Sequence, residues 1–104
     1  MSANDLDAYQ DAAARTINPA LGDDQRLLDA AAGLAEEAGE ALAHVRKHVM
    51  QGRPLDHDAL AKELGDALWC LAIAARCIDV PLSEVARRNV AKLRERHPDG
   101  FSTT

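Results

Sequence analysis

Residues 33–40 read GLAEEAGE: three glutamates and two glycines in the middle of a run whose apolar residues recur at helical spacing. Leu28, Ala31, Ala35, Ala38, Leu42, Val45 and Val49 return every three or four positions, which predicts one long helix from about Gln25 to Met50. A glycine in such an interior weakens it by about 1 kcal/mol relative to alanine, and like charges crowded on one face weaken it further. A chain with 21 alanines has a better helix former in ready use. Residues 62–66, KELGD, repeat the oddity. Both stretches therefore ask for a reason other than helix stability.

Working outward, a first helix over about 4–15 carries Leu6, Tyr9 and Ala13 on one side and is closed by INPALGDD. QGRP breaks the second helix. The third starts near Asp56, a reasonable N-cap, and continues to about Ile78, with Leu60, Leu64, Leu68 and Leu71 as its main stripe. Pro81 and Ser83 reset the chain for a fourth helix that lasts until His97 and Pro98. No segment has a period of two, so the expected class is all-α, a four-helix bundle with residues 1–104 as one domain. Aromatic residues make up 3% of the chain, and small side chains supply little apolar area each. Part of the apolar surface is therefore expected to be buried against another copy of the chain.

The net charge of −5 argues against nucleic acid as a partner and suits a protein that binds cations. No apolar run approaches the roughly 18 residues of a membrane span, and MSANDLDAYQ lacks the features of a signal peptide. A cytoplasmic protein without membrane contact is the simplest expectation. Cys70 and Cys77 lie seven positions apart on one predicted helix, roughly 10 Å along its axis, too far to bond each other. They read as reduced and buried.

Glu37 and Glu40 are three apart and so neighbour each other on one helix face; Glu63 and Asp66 share that spacing on the third helix. The midpoint between the two pairs falls in QGRP. An antiparallel hairpin of helices two and three would set both pairs at the same height, about 20 Å from the turn. Four converging carboxylates repel one another, and a hard divalent cation reverses the sign of that term. Oxygen-only ligation suits Mg²⁺ or Mn²⁺ better than zinc. Gly39 and Gly65 each lie about 130° from their acidic pair, flanking it and allowing close approach of a helix or ligand. Gly33 falls on the acidic face, where it would leave room for ligand or water.

Trp69 and Ile73 lie nearly opposite the leucine stripe of helix three, beside Asp66. A helix apolar on two sides is usually sandwiched, so Trp69 reads as a core or dimer contact, or else as a stacking wall for a planar ligand. On helix four, Asn89, Lys92 and Arg96 share a face with Val85 and Leu93, where they can meet phosphate oxygens, pair with the acidic cluster or reach solvent. His44 and Lys47 continue the Glu37–Glu40 face toward the site's edge. His48, His57 and His97 read as surface histidines.

GLAEEAGE, KELGDALW and NVAKLRERHPDGF, in that order, resemble the MazG-like all-α nucleoside triphosphate pyrophosphohydrolases. The resemblance covers roughly residues 25–101, and AYQDAAART on the first helix is also similar. It implies hydrolysis of a (deoxy)nucleoside triphosphate between the α and β phosphates by metal-activated water, giving a monophosphate and pyrophosphate. By motif position, Glu37, Glu40, Glu63 and Asp66 correspond to Mg²⁺ ligands, with Mn²⁺ a possible substitute. Glu36 would bind a further metal or orient the attacking water. Asn89, Lys92 and Arg96 are similar to residues that meet the phosphates, Lys47 stands at the site's edge, and Trp69 is a candidate base or sugar contact. Family members assemble as dimers or tetramers. Two other readings stand beside this one: an inactive or regulatory bundle that binds nucleotide or a protein partner, and a di-metal redox bundle. The last usually needs Glu-x-x-His pairs, and the nearest match here, Glu40 to His44, is spaced by four.

Overall fold

The computed structural model of the chain describes residues 3–101. Four helices follow one another, α1 over Ala3–Ala14, α2 over Asp23–Gln51, α3 over His57–Cys77 and α4 over Leu82–Arg96. No strand forms among the described residues, in keeping with the missing period of two. Among the described residues no helix is long and apolar enough to cross a membrane.

The helix ends follow local chemistry. At the start of α2, Gln25 reaches back so that its Oε1 accepts from the Gly22 N–H at 3.0 Å. Gly52 ends the helix with φ of 67°, a left-handed turn that glycine makes without steric cost, and its N–H returns to the Lys47 carbonyl. Asp56 caps α3 as expected, its carboxylate accepting from Ala59 N–H at 3.0 Å. Asp79, at φ 58°, then turns the chain out of α3 in a position where glycine is more usual.

α2 and α3 form the most extensive helix pair; α1 packs on α3 and α4, and α4 packs on α1 and α3 but not on α2. The core is small. Ala13, Ala30 and Ile73 form its centre, with Tyr9, Ile17, Trp69, Ala74 and Cys77 packed around them. Of the α3 leucine stripe, Leu60 is half-buried while Leu64, Leu68 and Leu71 are exposed, as are Leu28, Leu42, Val45 and Val49 of the α2 stripe. The less exposed positions of α2 are Arg26, Ala30, Gly33, Leu34, Glu37, Ala41 and His44, a seam in which Leu34 is the one large apolar side chain. Close helix approach took precedence over large apolar side chains.

Gly33 shows how close. A Cβ added there would stand 2.8 Å from the Cys70 Sγ, so the glycine admits the sulfur of α3 and not a ligand or water. The expectation that it opens the acidic face is corrected accordingly. Gly39 and Gly65 have nothing within 4 Å of an added Cβ. Both cysteines are free; Cys70 is buried as expected, whereas Cys77 is only half-buried.

α1 fastens the far end of the molecule. Buried Gln10 donates to the Ala72 carbonyl at 3.0 Å and the Val80 carbonyl at 3.2 Å, and accepts from Leu82 N–H at 2.9 Å. Asp7 accepts from the Ser83 N–H at 2.9 Å and from its hydroxyl at 2.8 Å. Pro81 gives α4 no side-chain cap of its own, so two side chains of α1 supply the cap from outside.

Candidate metal centre

Two helix faces meet where the acids stand. Glu37 on α2 and Glu63 and Asp66 on α3 offer carboxylate oxygens that all lie within 4.8 Å of one another. Along this contact Gly33 meets Cys70 while His44 approaches Glu63, so residue numbers rise on α2 as they fall on α3. Glu37 and Glu63 are half-buried within the seam and Asp66 lies at its exposed margin. The Glu37 and Glu63 Oε2 atoms are buried with no hydrogen-bond partner. An orphaned buried carboxylate oxygen costs on the order of 1–3 kcal/mol or more, so the pair asks for a counter-charge.

Glu40, exposed on α2, lies outside these three, although it stands near enough to feel them. Its carboxyl is pushed above the usual range, chiefly because its acid form can hydrogen-bond Glu63, then by that group's charge and by desolvation. Glu37 pulls the other way and Asp66 adds to the rise. A hard cation between the helices relieves this crowding, and an all-oxygen donor set fits one. The neighbours feel the same field. The Cys70 thiol is pushed up by burial and by the charges of Glu37, Asp29 and Asp66, and the Tyr9 phenol by burial, Asp66 and Cys70.

The model of the MazG nucleotide pyrophosphohydrolase domain matches residues 25–101, which hold all four of these acids. The chain belongs to that family. The MazG chain is also 38% identical over 103 residues to the Gene 37 protein of Mycobacterium phage L5, an alignment covering 91% of this chain and 90% of that protein. No solved structure gives a significant match.

Within the MazG domain the other expected site residues are placed unevenly. Glu36 is exposed and outside the three-carboxylate group. Trp69 is half-buried against the core, and its indole N–H donates to Thr16 Oγ1 at 2.8 Å, so its polar tip is engaged within the chain. Lys47 is exposed and lines a cavity of about 210 Å³ with Ala43, Arg46, Met50 and Gln51, none of them acidic. Asn89, Lys92 and Arg96 are exposed on α4, the helix that does not pack on α2. Neither cation forms an ion pair with the acids among the described residues, which corrects the expectation of direct pairing within one chain.

Sequence reasoning missed Tyr9 and Cys70 as neighbours of the acids. Both read as plain core residues, and their place at the centre follows from how α1 and α3 cross it. His44, expected near the site's edge, stands with its Nε2 4.0 Å from Glu63 Oε1. His48, His57 and His97 are exposed, although His48 Nδ1 is engaged with the Arg53 carbonyl at 2.6 Å.

Proposed function

We propose that this protein hydrolyses (deoxy)nucleoside triphosphates between the α and β phosphates, with Mg²⁺ as its cation and Mn²⁺ as a substitute. The observation that carries the reading is the Glu37–Glu63–Asp66 group, with two buried oxygens that have no protein partner. Glu37, Glu40, Glu63 and Asp66 are assigned to hold the cation on an antiparallel hairpin of α2 and α3. When bound, a divalent cation neutralises charge on phosphate oxygens and acidifies water. Glu36, exposed beside the group, is assigned to orient the attacking water or to hold a further ion. Asn89, Lys92 and Arg96 are assigned to the phosphates, where cations and an amide can follow charge that moves to the leaving pyrophosphate. Trp69 is the base or sugar contact and Lys47 an edge contact. The working protein is a single-domain, cytoplasmic homo-oligomer.

A pyrophosphate-release screen across canonical and modified nucleotides, run with Mg²⁺ and with Mn²⁺, tests the reaction. Monophosphate and pyrophosphate should form in equal amounts. Glu40→Ala or Asp66→Ala should abolish turnover, by a factor of a thousand or more, while circular dichroism keeps its helical form. Full activity in both variants would rule out the site.

A further inference from the structure

We propose that Thr16 is a positioning residue for the nucleotide base: it holds the Trp69 indole by its N–H, so that Trp69 meets a base with its ring face alone. This rests on the reading of Trp69 as the base contact and deepens it, naming what sets the ring and what the ring can read. The indole N–H donates to Thr16 Oγ1 at 2.8 Å, and the Thr16 hydroxyl donates in turn to the Ala13 carbonyl at 2.7 Å. The two residues are 53 positions apart, so the turn after α1 fixes a side chain of α3. Trp69 follows Asp66 by three positions and therefore neighbours it on α3, about 5–6 Å away between Cβ atoms. The ring packs against the core of Ala13, Ala30 and Ile73 and stays partly open to solvent.

The consequence is a kind of selectivity. Indole has one donor and no acceptor, and Thr16 occupies that donor. What is left is a π face, and every base has a face to set against it. Trp69 thus detects that a base is present without telling one base from another. A ring held in place before the nucleotide arrives also loses no rotamer freedom on binding, which lowers the cost of association. The backbone N–H of Thr16 bonds the Ala13 carbonyl at 3.0 Å as well, so the turn keeps its own bond when the hydroxyl is removed.

The test uses the whole chain, in which Trp69 is the one tryptophan and its emission reports on the ring directly. Quenching of that emission by triphosphates that resist cleavage between the α and β phosphates gives affinity. Pyrophosphate release gives KM and kcat, for purine and pyrimidine nucleotides with Mg²⁺. Thr16→Val should weaken quenching and raise KM about fivefold for every base, the worth of one hydrogen bond, with kcat within about twofold. Thr16→Ser should restore the parent values. In a Trp69→Phe background, which keeps a ring but no N–H, Thr16→Val should change KM by less than about twofold. A rise of the same size in that background overturns the proposal, since Thr16 would then act on the fold and not through the indole. So does a Trp69→Phe loss confined to one base, which would mean that the ring reads base identity. Turnover without quenching in the parent also overturns it and leaves the reaction standing. Quenching that weakens in Thr16→Val without any pyrophosphate release upholds the ring's role and sinks the reaction instead.

Discussion

Three glycines in helix interiors have opposite consequences, set by what stands opposite each. Replacing glycine by alanine in an exposed helix interior stabilises by about 1 kcal/mol. Gly39 has open space around an added Cβ, so Gly39→Ala should gain roughly that amount in chemical denaturation, and Gly65→Ala likewise. At Gly33 the same methyl would stand 2.8 Å from the Cys70 sulfur, which must turn away or push α3 off α2. Overpacking of that kind costs about 1–3 kcal/mol, which exceeds the helix gain. Gly33→Ala should therefore lose about 1 kcal/mol net, and adding Cys70→Ala should restore most of it. A Gly33→Ala variant as stable as the parent would mean that the two helices are not held at this spacing. The acids beside this contact depend on it, since any separation of α2 from α3 spreads Glu37 from Glu63 and Asp66.

At the level of elements, α4 is attached by its N-terminal turn, and α1 holds it there. Gln10→Ala leaves the Leu82 N–H and the Ala72 and Val80 carbonyls without their side-chain partner. At about 1–3 kcal/mol for a buried group left unsatisfied, the loss should reach about 3 kcal/mol. Asp7→Ala removes only a cap and should cost about 1 kcal/mol. Arg88→Ala, which breaks an exposed pair with Glu84, should cost under about 0.5 kcal/mol. Urea denaturation orders the three; a Gln10→Ala loss no larger than that of Arg88→Ala would show that α4 does not depend on the clip. The helices themselves were legible in the sequence. Gln25–Met50 was expected and Asp23–Gln51 is found, because Gly52 and the Asp56 cap act within a few residues of themselves. Spacing about the QGRP turn points to Glu37, Glu63 and Asp66, which do meet, but it pairs Glu40 with them as well, and Glu40 lies outside that group. The inward faces were not. Periodicity shows that Leu64, Leu68 and Leu71 share a side, but it does not say what covers that side, and the real seam of Ala30, Gly33, Glu37 and His44 carries almost no hydropathy signal. Nor does spacing within α1 reveal that Gln10 bonds to residues 62 and 72 positions away.

For the whole molecule, the apolar residues that one copy leaves uncovered bear on the proposed assembly. A compact monomer of 11.2 kDa exposes about 5,700 Å² and a chain of this length has a radius of gyration near 13 Å. This chain exposes 7810 Å² and its radius is 16.4 Å. The excess, on the order of 2,000 Å², is more than twice the roughly 800 Å² that each partner buries in a standard stable interface. Its composition agrees, since Leu28, Val49, Met50 and Leu64 are all more than half exposed, whereas Ile73 is the one large side chain fully buried among the described residues. At about 25 cal/mol per Å², burying half of that excess contributes on the order of 25 kcal/mol before association and ordering costs. The proposed homo-oligomer would supply the cover, because an isologous pair covers like with like. Sedimentation equilibrium at micromolar concentration should give at least twice 11.2 kDa. Leu42→Glu and Leu64→Glu, at positions 55% and 57% exposed in one copy, should leave the isolated fold's contacts intact. At least one of them should lower the mass to that of a monomer, because a charge buried in an apolar contact costs several kcal/mol. A parent chain that stays at 11.2 kDa up to hundreds of micromolar would remove the second copy, and with it the cover for α2 and α3 that the small core needs.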